Sequence, residues 1–189
     1  MVFRRKALPL TFNTLLRSCG GRVRTRKPLK AYLSGGMEFA KGEGADWRYE
    51  MEEWIHRNLK HRVFNPNRES ERILSKKIPR GSFRNLKQEN LERFTRIVRG
   101  LVDLDTREIA RRSDYVICYW DESAQKGAGT KGEVTIARFV EKPVYLVTDM
   151  KHADIPGWVL GCTTKIFSSF DALKKFLLET YATKSQEGI

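Results

Sequence analysis

Two apolar runs of strand length, residues 115–120 (YVICYW) and 143–148 (PVYLVT), constrain this chain more than any other feature. Neither alternates apolar with polar residues. A strand that is apolar throughout must be covered on both faces, as a central strand of a parallel sheet is. Between the two runs lie a Gly-rich stretch and a helical segment over about 130–141, which makes a strand–helix–strand crossover unit. The same alternation continues towards both ends. Residues 30–34 (KAYLS) read as a strand running into the tight turn Gly35-Gly36. Trp47, Met51, Trp54, Ile55 and Leu59 recur at helical spacing and predict a helix over 47–59, with Asp46 as its cap. Residues 62–64 read as a second strand, stopped by Asn65-Pro66, and the polar residues 67–85 read as loop. Residues 86–99 place Leu91, Phe94, Ile97 and Val98 on one side of a helix. Residues 105–112 fit a short helix with Asp105 as N-cap and Glu108 three positions later. A last strand at 165–167 and a closing helix over 170–181 complete the pattern. The expectation is an α/β fold with a five-stranded parallel sheet and helices on both faces.

The length of 189 residues suits one such domain, over 30–182, with a seven-residue tail at 183–189. The net charge of +13 is uneven. Residues 1–29 carry +8 with no acid, residues 65–100 carry +6, residues 30–64 balance, and residues 101–189 sum to −1. Residues 1–29 therefore read as a basic, flexible extension, and residues 65–100 as a basic insertion within the domain. Either segment suits a polyanion, whether nucleic acid or a nucleotide phosphate; either also suits a solvated surface. An Arg-rich, acid-free start is also compatible with an organelle transit peptide. Cys19, Cys118 and Cys162 form no paired motif and read as reduced thiols of a cytoplasmic protein. His56, His61 and His152 have no ligand spacing, so no metal site is expected. No apolar run approaches the ~18 residues that span a bilayer, and no membrane partner is expected.

In open α/β sheets, ligands bind beyond the carboxyl ends of the strands. Three segments reach that edge: Ser34-Gly35-Gly36, then Asn65-Pro66-Asn67-Arg68, then Gly127-Ala128-Gly129-Thr130-Lys131-Gly132-Glu133. The backbone N–H groups of the third would seat a phosphate or a sugar oxygen. Glu133 has two readings. Thr130-x-x-Glu133 fits a capping box. A carboxylate at that edge also suits a nucleophile that attacks an anomeric carbon.

The ordered set YLSGG, WR on the first helix, FNPNR, DxxxI followed by SDYVICYWD, and GxGTxxE resembles the nucleoside 2-deoxyribosyltransferase-like proteins over about residues 30–147. That resemblance implies a flavodoxin-like, Rossmann-like sheet and a Glu nucleophile acting on an N-glycosidic bond without metal or cofactor. It makes Glu133 the nucleophile and Asp105 the acid beside the base. Asp103, two residues away, is an alternative, and N-cap remains the competing role for Asp105. By the same resemblance Tyr32, Ser34, Gly35, Gly129 and Thr130 become substrate contacts, and their place at the strand edge adds Gly36, Asn65, Arg68 and Gly127 as candidates. One position departs from the pattern. Where the family often has an Asp six residues before the nucleophile, this chain has Gly127. The loop also resembles the PGGxGTxxE motif of the cytokinin-activating phosphoribohydrolases, without its proline and one glycine.

The leading expectation is an N-glycosidic transferase or hydrolase taking a (deoxy)nucleoside or a nucleoside 5′-monophosphate. The phosphoribohydrolase type of nucleotide hydrolysis is the first alternative. A non-catalytic nucleotide- or nucleic-acid-binding protein, using residues 1–29 and 65–100 with Phe83 and Phe94, is the second. Arg68, Arg80 and Arg84 are candidates for a substrate phosphate. The resemblance also implies a homo-oligomer.

Overall fold

The computed structural model describes residues 27–79 and 82–181. The basic extension up to residue 26, Arg80 and the tail from residue 182 lie outside these. Five parallel strands form one sheet: β1 (Lys30–Gly35), β2 (Arg62–Phe64), β3 (Tyr115–Tyr119), β4 (Val144–Val147) and β5 (Lys165–Phe167), in the order β2-β1-β3-β4-β5. This is the flavodoxin-like, Rossmann-like order, and its direction reverses between β1 and β3. Register places Ser34 beside Cys118 and Gly35 beside Tyr119.

The two faces are covered differently. α1 (Ala45–Leu59) and α8 (Phe170–Tyr181) bury Met51, Ile55, Leu173 and Leu177 against Ala31, Leu33, Tyr115 and Ile117. On the other face α4 (Leu91–Arg111), α6 (Gly129–Phe139) and α7 (Gly157–Cys162) cover Tyr32, Val116, Cys118 and Leu146. Side chains alternate across a strand, so Tyr32 and Ser34 share the α4/α6 face while Ala31 and Leu33 share the α1/α8 face.

Local structure departs from the sequence expectation in several places. Residues 67–85 are not all loop: α2 (Pro66–Leu74) forms because Asn65 accepts the Asn67 N–H at 3.1 Å and Pro66 occupies the first turn, where its missing N–H costs nothing. The two helices expected at 86–99 and 105–112 are a short α3 (Leu86–Glu89) and the continuous α4, capped by Asn90. Asp105 is thus inside a helix and not its cap. Asp46 does not cap α1 either; that position is Gly44, with φ 64°. Within the Gly-rich stretch, Asp121 caps an additional short helix, α5 (Glu122–Lys126). Leu91, expected on the apolar side of its helix, is exposed. Phe94 stacks on Phe83 at 5.2 Å within a small apolar cluster around Ile78, Leu86 and Ile97.

Cys118 and Cys162 are buried free thiols. Among the described residues no helix is long and apolar enough to cross a membrane. Among them, too, no three His, Cys, Asp or Glu side chains gather as a metal site would require.

Candidate functional site

The site is built around the carboxylate of Glu133. α6 starts at Gly129 with Ala128 at its cap position, and no side chain caps it. The capping box expected from Thr130-x-x-Glu133 does not form. Glu133 instead turns towards the sheet: the Tyr32 hydroxyl donates to Oε1 at 2.9 Å and the Ser34 hydroxyl to Oε2 at 2.5 Å. Tyr32 and Ser34 stand two residues apart on β1, so the strand repeat delivers both donors to one carboxylate. The Tyr32 ring is fully buried and stacks on Phe64 at 5.2 Å, which fixes its hydroxyl. Thr130 is buried beside this arrangement.

Burial raises the Glu133 carboxyl above the ordinary range, while Ser34, Tyr32 and the Arg48 cation pull it down. Asp105 reaches the same place from α4. Burial, and then the negative charge of Glu133, push it up to about 7. Its position is anchored one turn later, where Glu108 is buried in an ion pair with Lys30 at the start of β1. Asp103 is exposed on another face of α4, so the exchange of roles between the two aspartates does not arise.

Glu133 and Asp105 line a cavity of about 300 Å³ at the carboxyl edge of β1, at the point where strand order reverses. Its floor is Gly35, Gly36 and the loop from Gly127 to Thr130. Its far wall is apolar, from Phe83, Phe94, Leu101 and Val102, and Arg84 and Lys87 stand at its margin. That volume is at the small end of the ~300–1,000 Å³ typical of small-molecule sites.

Of the residues expected to bind substrate, Gly35, Gly36, Gly127, Gly129 and Thr130 line the cavity with Glu133, and Tyr32 and Ser34 hold the carboxylate. Asn65 and Arg68 lie elsewhere. Asn65 spends its side chain on capping α2 and on Glu52 at 2.9 Å. Arg68 pairs with the same Glu52 at 2.9 Å and lies over the Tyr49 ring. Arg84 is at the cavity, paired with Glu43 at 3.1 Å, and Lys87 is paired with Glu38 at 3.2 Å.

Gly36 has a packing reason. A Cβ there would stand 2.0 Å from Ser123 Oγ and 2.8 Å from the Ala124 nitrogen, at the start of α5. Gly36→Ala is expected to lower unfolding free energy by about 1–3 kcal/mol, the usual cost of forced overpacking. Denaturant unfolding measures it; an unchanged midpoint would show that α5 moves freely.

The sequence reading missed two parts of the site. The apolar wall comes from α4 and the insertion, brought to the carboxylates by tertiary packing. Arg48 was noted only within the WR pair. Its signal was its place on the stripe of Met51 and Ile55, where a charged residue is unexpected. No family model matches the chain, and no curated protein matches it.

Proposed function

We propose that this protein cleaves or transfers the N-glycosidic bond of a (deoxy)nucleoside or nucleoside 5′-monophosphate. The observation that carries the reading is the Glu133 carboxylate, held through both oxygens by Tyr32 and Ser34 and faced by Asp105 across a cavity at the sheet's switch point. One carboxylate is positioned, and the other is biased towards its protonated form. That division suits one nucleophile and one acid.

In the first step Glu133 attacks the anomeric carbon. The bond to the base nitrogen breaks, and Asp105 gives that nitrogen its proton. The products are a glycosyl ester on Glu133 and a neutral free base. In the second step water or another base attacks the same carbon. Asp105, now ionised, takes the proton, and Glu133 leaves as carboxylate. Water gives hydrolysis, and a base gives transfer. The negative charge of Glu133 stabilises the oxocarbenium-like transition states of both steps. The apolar wall of Phe83, Phe94, Leu101 and Val102 suits the flat face of a base.

The nucleic-acid alternative has less support. Within the insertion, Arg68, Arg72, Arg84, Lys87 and Arg96 are each paired with a carboxylate. A homo-oligomer belongs to the same proposal.

The test is base release from a panel of ribo- and deoxyribonucleosides and their 5′-monophosphates, with and without a second free base. Free base is expected from at least one substrate class. Exchange of bases identifies the transferase, and sugar or sugar phosphate identifies the hydrolase. Folded protein that releases no base from any member overturns the proposal.

A further inference from the structure

We propose that Arg48 is the positioning residue of this site: from the opposite face of the sheet it locks the β1–α1 loop, and with it the backbone that carries Ser34 to Glu133 and floors the cavity. The inference rests on the glycosidic reading for its kinetic consequence, but not for its geometry.

Arg48 is fully buried, and all five of its side-chain hydrogen bonds go to backbone carbonyls. Two of these carbonyls belong to β1. The Arg62 N–H donates to Leu29 O, so odd-numbered carbonyls of this strand point towards β2; the Asp114 N–H donates to Lys30 O, so even-numbered ones point towards β3. Pairing with β2 ends at Tyr32 beside Phe64, whereas pairing with β3 runs on to Gly35 beside Tyr119. Leu33 O and Gly35 O are therefore left beyond the end of β2. Arg48 Nε and Nη2 bond them at 3.2 and 2.7 Å. The guanidinium stands where the next residues of β2 would have been, and satisfies buried acceptors that would otherwise be costly.

Its remaining nitrogen, Nη1, reaches Gly36 O at 3.4 Å, Glu43 O at 3.2 Å and Gly44 O at 2.9 Å. These lie at the two ends of the loop between β1 and α1. One side chain therefore sets where Gly35 and Gly36 floor the cavity. Ser34 lies between the two β1 carbonyls that Arg48 holds, and its hydroxyl goes to Glu133 on the other face. The lock and the nucleophile share three consecutive residues of backbone. A lysine, a point charge with three donors, cannot span the same carbonyls.

The charge has a second effect. Tyr32 and Ser34 from β1 bond Glu133 directly, and Cys118 from β3, Asp105 from α4 and Arg48 from α1 act on it or feel it electrostatically. Among these Arg48 is the cation, and guanidinium stays protonated even when buried. It opposes the effect of burial on Glu133 and offsets the neighbouring charge of Asp105.

The experiment compares wild type, Arg48→Met and Arg48→Lys. Glu133 is titrated by carbonyl-carbon NMR of Glu-labelled protein, with Glu133→Gln identifying the signal. For the same proteins kcat, KM and pH profile are measured on the best substrate of the panel. In Arg48→Met the Glu133 midpoint is expected to move to higher pH, carrying the acid limb of kcat with it. Its kcat should fall about 100-fold with KM little changed, as expected when a reacting group is misplaced by about an ångström. Arg48→Lys should keep the Glu133 midpoint near wild type yet lose kcat, because charge remains and the fork is gone. Wild-type kcat in folded Arg48→Lys, or an unmoved midpoint in folded Arg48→Met, overturns the proposal. If Arg48→Met does not fold, the Lys variant decides it. If wild type releases no base, the glycosidic reading fails, and the NMR arm still tests Arg48 alone.

Discussion

Glu133→Gln is expected to abolish base release while making the folded protein more stable. The amide keeps the shape of the side chain but cannot form a glycosyl ester, so kcat should fall by a factor on the order of 10⁴ or more, as when other nucleophiles are removed. Stability should move the other way. Burial raises the folded-state pKa of Glu133 above its unfolded value. A group with that shift favours folding when protonated. The advantage is lost as pH rises from the unfolded pKa through the folded one. At neutral pH the ionised carboxylate is thus a burden that glutamine does not carry. A higher Tm at pH 7.5, with the difference vanishing at pH 4, is the expected pattern. A helix cap behaves oppositely, since its replacement lowers stability. The pair of measurements separates a nucleophile from a structural carboxylate, and a lower Tm with activity retained would return Glu133 to a structural role.

The second large effect is expected at Asp105. Its carboxyl is pushed up to about 7 by burial and by Glu133. On the proposed mechanism it protonates the base and must hold its proton. The rate should therefore fall on the alkaline side with an apparent pKa near 7, and this value belongs to the coupled pair with Glu133. Asp105→Asn should remove that limb and cost about 10²–10⁴-fold at pH 6. Substrates whose base leaves readily without protonation should lose much less. Stability again shows the sign: a raised folded pKa means that wild type loses stability as pH rises from about 4 to about 7. Asp105→Asn should therefore raise Tm more at pH 8 than at pH 4. An alkaline limb that persists unchanged in Asp105→Asn would assign the proton to another group.

Both effects follow from one placement, two carboxylates drawn out of water towards the same cavity. Proteins commonly give up stability at such sites for chemistry. Here the effect of burial on Glu133 is held in check by Ser34, Tyr32 and Arg48.

How much of this was legible beforehand differs by level. The parallel sheet was readable because YVICYW and PVYLVT admit hardly any other burial than coverage on both faces, and because strands and helices alternate with the right period. α1 followed from apolar spacing, α8 from the alternation of strands and helices, and the cavity floor from glycines at the ends of strands. Glu133 could be named as the residue of interest, but not assigned a role. A capping box and a carboxylate turned to the sheet share the same four-residue spacing, and only the distance to Tyr32 and Ser34 on a strand about a hundred residues earlier separates them. Asp105 was likewise readable as an N-cap until Leu91–Arg111 formed one helix, which places it in the interior of α4 and beside Glu133. Asn65 and Arg68 looked like ligand contacts from their place after β2, yet Glu52 claimed both. The local sequence thus determined elements and their order, since periodicity and turn chemistry act over a few residues. The tertiary structure alone decided which polar groups meet, since a side chain's partner, its burial and its charge state depend on residues far away in the chain.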